Sequence, residues 1–91
     1  MKQRMHVWIY GIVKGVFFRQ NIKDMAENLN IKGLVRNKEE GVEAIFEGDS
    51  ENIKKMLQFC KSGPKFAKVD KVESKEETFT GEFKDFRILH F

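Results

Sequence analysis

Two short stretches carry the residues with the most chemical potential: "GIVKGVFFR", Gly11 to Arg19, and "GLVRN", Gly33 to Asn37. In the first, two glycines and an arginine fall where an alternating apolar run gives way to a helical pattern. A glycine-bearing turn of that kind can aim successive backbone N–H groups into a concavity, and the helix that follows adds the positive end of its dipole. A guanidinium at the helix entrance can meet the same anion through two parallel hydrogen bonds, which suits a phosphate. From this stretch alone an anion nest and an ordinary turn with a solvated arginine are equally well supported. In the second stretch Arg36 and Asn37 point to opposite faces of a strand, so one of them can face a groove beside the bend. Asparagine is disfavoured inside strands, and its presence asks either for a function or for a turn just after it.

The elements that must position these residues follow from hydrophobic periodicity. Met5, Val7 and Ile9 alternate with His6, Trp8 and Tyr10, which predicts a first strand with apolar or aromatic side chains on both faces. Ile22, Met25, Ala26 and Leu29 recur at helical spacing, and Asn30 suits a left-handed helix end. A hairpin is expected next, with strands at Lys32 to Lys38 and Val42 to Gly48 and with Gly41 supplying a positive φ in the turn. Ile53, Met56, Leu57 and Cys60 mark a second helix, capped by Asp49 or Ser50 and stopped by Gly63 and Pro64. Strands near Ala67 to Lys75 and Phe86 to His90 complete the chain. The order β-α-β-β-α-β plus a C-terminal strand predicts an α+β, ferredoxin-like split βαβ sandwich, with two helices on one face of a mostly antiparallel sheet.

Composition narrows the function classes. The 91 residues, 41% of them hydrophobic, fit one domain over 1–91 with one shared core. Neither a secretory signal nor an apolar run of membrane-spanning length is seen, so a cytoplasmic location and no membrane partner are expected. Cys60 is the only cysteine, which leaves no intrachain disulfide and no thiolate metal cluster. It lies on the apolar stripe of the second helix and reads as a core thiol. The net charge of +3, from 17 basic and 14 acidic residues, fits an anionic ligand without requiring nucleic acid. Neither glycine motif matches a Walker A or a dinucleotide-binding loop. The two histidines lie on separate strands and lack metal-ligand spacing, and the carboxylates at 39–40 and 76–77 read as solvated charge.

Taken together, "GIVKGVFFR", "KGLVRN", "GVEAIFEG" and "SGPKFAKVDKVE" resemble the acylphosphatase family over nearly the whole chain. The pair G-x-V-x-G-V-x-F-R and G-x-V-R-N at this separation is far more specific than either half. What the resemblance implies is a small hydrolase that cleaves the carboxyl–phosphate bond of acyl phosphates with neither a metal nor a cofactor. Within it, Lys14, Gly15, Val16, Phe17 and Phe18 would cradle the phosphate through backbone amides. Arg19 would bind the phosphoryl oxygens, and Asn37 would orient the attacking water. The expected partner is a small acyl phosphate, with inorganic phosphate as a competing ligand and the monomer as the working unit. Two departures from the family's pattern are visible. Phe17 stands where many members carry glycine or another small residue, and "NKEEGV" is one residue shorter than the common N-x-x-x-G-x-V form.

Two readings from other classes compete with this one. The RNA-recognition motif shares the architecture, and "KGVFF" matches the start of its signature, but that signature belongs on the third strand with exposed aromatics. Here the match falls in the first β–α bend, and the third strand, "VEAIFEG", is acidic. A regulatory module that binds a small anion without turning it over is the other reading, and substrate turnover separates it from an enzyme.

Overall fold

The computed structural model describes residues 1–15 and 17–90. Seven elements follow one another as β1 (Lys2–Ile12), α1 (Phe18–Asn28), β2 (Lys32–Lys38), β3 (Gly41–Asp49), α2 (Ser50–Ser62), β4 (Lys68–Glu77) and β5 (Phe86–Leu89). The five strands form one sheet in the order β4-β1-β3-β2-β5, antiparallel throughout except for the parallel pair β2 and β5. Both helices pack on one face, α1 over β2 and β5 and α2 over β1, β3 and β4. This is the ferredoxin-like α+β arrangement expected from the order of elements. No helix among the described residues is long and apolar enough to cross a membrane.

Alternation decides which face of each strand meets the helices. Val7 and Ile9 of β1, Val35 of β2 and Ala44 and Phe46 of β3 are wholly buried there, against Ile22 and Ala26 of α1 and Ile53, Met56 and Cys60 of α2. Burial pushes the Cys60 thiol up to about 12, which removes it as a nucleophile and makes it a small core hydrophobe. Asn30 takes φ 55° as expected at the end of α1, and Gly63 ends α2 at φ 72°. Asp49 occupies the N-cap of α2, yet its side chain makes no capping hydrogen bond.

Gly41 departs from expectation in an instructive way. Its φ is not positive; a Cβ there would lie 2.0 Å from the carbonyl oxygen of Ile9, so what the position demands is close approach of two backbones. The hairpin turn thus presses directly on β1.

The opposite face of the sheet carries no helix among the described residues and is tied together by ions. Glu47 of β3 is buried and accepts the Thr80 and Gly81 N–H groups at 2.9 and 3.0 Å and Arg4 Nη1 at 3.1 Å. Arg4 Nε also donates to Glu77 at 3.0 Å. His6 sits between Glu43, 2.7 Å from Nε2, and Glu77, 3.0 Å from Nδ1, and stacks on Trp8. Arg36 Nε donates to the other oxygen of Glu43 at 2.8 Å. Four strands and the β4–β5 connection are joined by this network, so Glu77 is an engaged carboxylate, contrary to the solvated one expected from sequence. Burial by itself would raise the Glu43 and Glu47 carboxyls. The hydrogen bonds from Arg36 and His6 on one, and from Thr80, Arg4 and Gly81 on the other, outweigh it and hold both below the usual carboxylate range.

Two outcomes are expected. Because both carboxyls are depressed in the folded state, their stabilisation is complete above the ordinary value of 4.5 and is lost as pH falls through the folded values. Urea midpoints should therefore drop steeply below about pH 4.5, and Glu47→Gln should show a shallower acid limb than the parent chain. At neutral pH, Gly41→Ala should cost about 1–3 kcal/mol by overpacking against β1. Gly48→Ala should cost less in the same titration, since its nearest new neighbour is a side-chain atom of Ile31 at 3.3 Å.

Candidate active site

Strand direction brings the two motifs together. β1 and β2 both run antiparallel to β3, which lies between them, so their carboxyl ends emerge at the same sheet edge. β5 is parallel to β2, with Arg36 opposite Leu89, and ends at that edge too. The loop after β1, the end of β2 and the end of β5 are therefore neighbours, as at the strand-end crevices where α/β sheets take ligands.

The loop is shaped by two left-handed residues. Gly15 has φ 74°, and a Cβ built on it meets nothing within 4 Å, so the loop stands open at that point. Phe17 has φ 61° and ψ 21° and is the N-cap of α1, although a bulky residue is rarely found in that region. Its carbonyl oxygen accepts both the backbone N–H and the side-chain amide of Asn21, at 3.0 and 2.8 Å, which pins the bend to the helix. Among the described residues no side chain caps this helix and no acidic residue occupies its first turn, which leaves the positive dipole end without a counter-charge from those residues. Phe18 is buried, edge-on to Phe59 of α2, and anchors the first turn in the core. Val16, named with these residues from the sequence, lies outside the described residues.

Arg19 is half-buried, and among the described residues no carboxylate lies within 4.0 Å of it. It shares a cavity of about 250 Å³ with Asn37, Leu89 and His90. Asn37 projects on the helix-covered side of β2, as the alternation with buried Gly33 and Val35 requires, and its Oδ1 is buried without a hydrogen-bond partner among the described residues. A buried amide oxygen left unpaired costs about 1–3 kcal/mol, so its orientation asks for a donor from outside the fold. A second cavity of about 270 Å³ lies against Gly15, Phe17, Arg19, Ile88 and His90. A third, of about 540 Å³, reaches Asn37 from the open sheet face past Trp8 and Tyr10.

Arg19, Asn37, Gly15, Phe17 and Phe18 thus converge on one edge. Lys14 does so in an unforeseen way: its ammonium turns from the loop to the hairpin and donates to the carbonyl oxygens of Lys38 and Glu39, each at 2.9 Å. The walls supplied by Ile88, Leu89 and His90 were not foreseen either. Only the parallel β2–β5 pairing brings them here, and nothing local in "FRILH" signals it. Among the described residues no group of three or more His, Cys, Asp or Glu side chains is placed to hold a metal ion. The arrangement brings a guanidinium and a carboxamide to one cavity near the N-terminal end of a helix, donors of the kind that suit a small anion.

Comparison with known proteins gives a consistent result. A family model described as Acylphosphatase matches residues 5–88. An acylphosphatase of Syntrophus aciditrophicus is 45% identical over 91 residues, covering 99% of this chain and 95% of that protein. One of Pyrobaculum aerophilum is 47% identical over 88 residues, covering 94% and 93%. The solved structure of an acylphosphatase from Coxiella burnetii superposes with a TM-score of 0.92 at 31% identity, covering 97% of this chain and 93% of that one.

The Lys14 bridge gives the geometry a direct check. Lys14→Met removes both charge-assisted bonds between the loop and the hairpin, and amide hydrogen exchange in the 38–41 turn should speed up by roughly tenfold while α2 stays protected. An unchanged turn would mean that the loop and hairpin hold their spacing without it.

Proposed function

The chain belongs to the acylphosphatase family, and from that premise we propose that its loop, Arg19 and Asn37 hydrolyse acyl phosphates by direct attack of water on phosphorus. Family membership carries the reaction class. The single observation that most supports the residue roles is the cavity that Arg19 and Asn37 share, beside a buried Asn37 Oδ1 that has no hydrogen-bond partner among the described residues.

The phosphoryl group is held by backbone amides of the 14–18 loop and the first turn of α1, with the Arg19 guanidinium on its equatorial oxygens. Asn37 Oδ1 accepts a hydrogen bond from a water and keeps it in line with the bond to be broken. The water oxygen forms a bond to phosphorus as the phosphorus–carboxylate oxygen bond breaks. The electron pair leaves with the carboxylate, and the water's proton ends on the inorganic phosphate produced. A carboxylate is a weak base, so its departure does not oblige a general acid. With a loose phosphoryl transition state, positioning and fixed positive charge carry most of the rate. The amides and Arg19 supply that charge here, and the reaction is assigned to residues 1–91 acting as one domain without a metal or cofactor.

Benzoyl phosphate hydrolysis, followed by ultraviolet absorbance in excess chelator, tests the proposal. Turnover should persist in chelator, and inorganic phosphate should compete. Loss of one preorganised transition-state donor costs about 3 kcal/mol, so Asn37→Ala should lose on the order of a hundredfold in kcat. Arg19→Ala should lose more, because binding also weakens. A folded Arg19→Ala variant with parental activity would overturn the assignment, and a folded parent chain without turnover would point to an anion-binding module instead.

A further inference from the structure

The cavities around the site differ in which functional residue they contain, and that difference fixes a direction. The 250 Å³ cavity holds Arg19 together with Asn37, and the 540 Å³ one opens onto Asn37 from the far face. The 270 Å³ cavity touches Arg19 but not Asn37. In an in-line displacement the attacking and leaving oxygens stand on opposite sides of phosphorus. With the water on the Asn37 side, the acyl group has to leave on the side that Asn37 does not reach.

The cavity on that side has an apolar wall built by an unusual residue. Phe17 is 80% exposed, among the largest exposures of any bulky apolar side chain in the chain, and it holds φ 61° where glycine would sit without strain. An exposed phenyl ring in a left-handed conformation costs stability twice, through hydration and through backbone strain, and its small buried fraction offsets little of that. Ile88 and Val13 line the same cavity, with His90 at its edge. We propose that Phe17 is a specificity-determining residue: its ring, with Ile88, receives the acyl portion of the substrate, and the enzyme favours acyl phosphates with an apolar or aryl group over the smallest ones. This rests on the functional reading above and adds to it the side on which the leaving group lies.

The test measures kcat/KM for benzoyl phosphate and acetyl phosphate, by phosphate release, in the parent chain and in Phe17→Ala, Phe17→Leu and Arg19→Ala. A few apolar carbons lost from a hydrophobic contact are worth on the order of tenfold in discrimination. The benzoyl-to-acetyl ratio should therefore fall about tenfold in Phe17→Ala and recover in large part in Phe17→Leu, with the change mainly in KM. Inhibition by inorganic phosphate, which has no acyl group, reports separately on the loop in each variant. A ratio that stays the same in Phe17→Ala, however much both activities fall, overturns the acyl contact while leaving the hydrolase reading intact. A ratio equally lost in Phe17→Leu would also overturn it, since an apolar side chain would then not suffice. Full activity of Arg19→Ala on both substrates would instead overturn the underlying site.

Discussion

The register of β3 is the constraint on which the rest of the molecule depends. It is the only strand with β1 on one side and β2 on the other, and its two faces are committed to opposite environments. Val42, Ala44 and Phe46 meet the helices, while Glu43 and Glu47 meet the ions of the open face. Sliding the strand by one residue would drive two carboxylates under the helices and expose Phe46, which no rearrangement of side chains could absorb. The ladder also fixes function. Asn37 stands opposite Val42, and Gly41 is pressed against Ile9, so the end of β2 is set relative to the end of β1 through β3.

A site assembled at strand ends inherits that rigidity. The loop after β1 is short, bent by Gly15 and Phe17, and tied to the hairpin by Lys14 and to the core by Phe18. In the proposed reaction an anion entering it meets donors that do not have to reorganise, and such preorganisation is what makes fixed dipoles effective on a phosphoryl group. The charged face performs a different task. It holds the sheet's uncovered side together and leaves Arg36, the neighbour of Asn37, engaged with Glu43. Of two adjacent polar residues on one strand, alternation thus gives one to the network and the other to the site.

Local pattern made much of this legible. The β2 boundaries, the stripe of each helix, the left-handed Asn30 and the stop at Gly63 all depend on neighbours within a few positions, and those were read correctly from the sequence. Two of the misreadings share one cause. Gly41 was assigned a positive φ because a hairpin commonly asks for it, whereas the position is dictated by the Ile9 carbonyl more than thirty residues away. Glu77 looked like solvated charge because Arg4 and His6, its partners, lie at the other end of the chain. For the candidate site, the sequence offers Arg19 and Asn37 as a pair of motifs, while the nearness of Ile88, Leu89 and His90 depends on a parallel pairing that no local signal announces.

The buried Cys60 has a consequence beyond packing. As the chain's single thiol, shielded from solvent and pushed up by burial, it takes disulfide exchange and thiolate chemistry away from the folded molecule. Reagents that disable enzymes by capturing a reactive thiolate find no accessible thiol while α2 stays seated. The site proposed above, built of amides, a guanidinium and a carboxamide, relies on no thiol either.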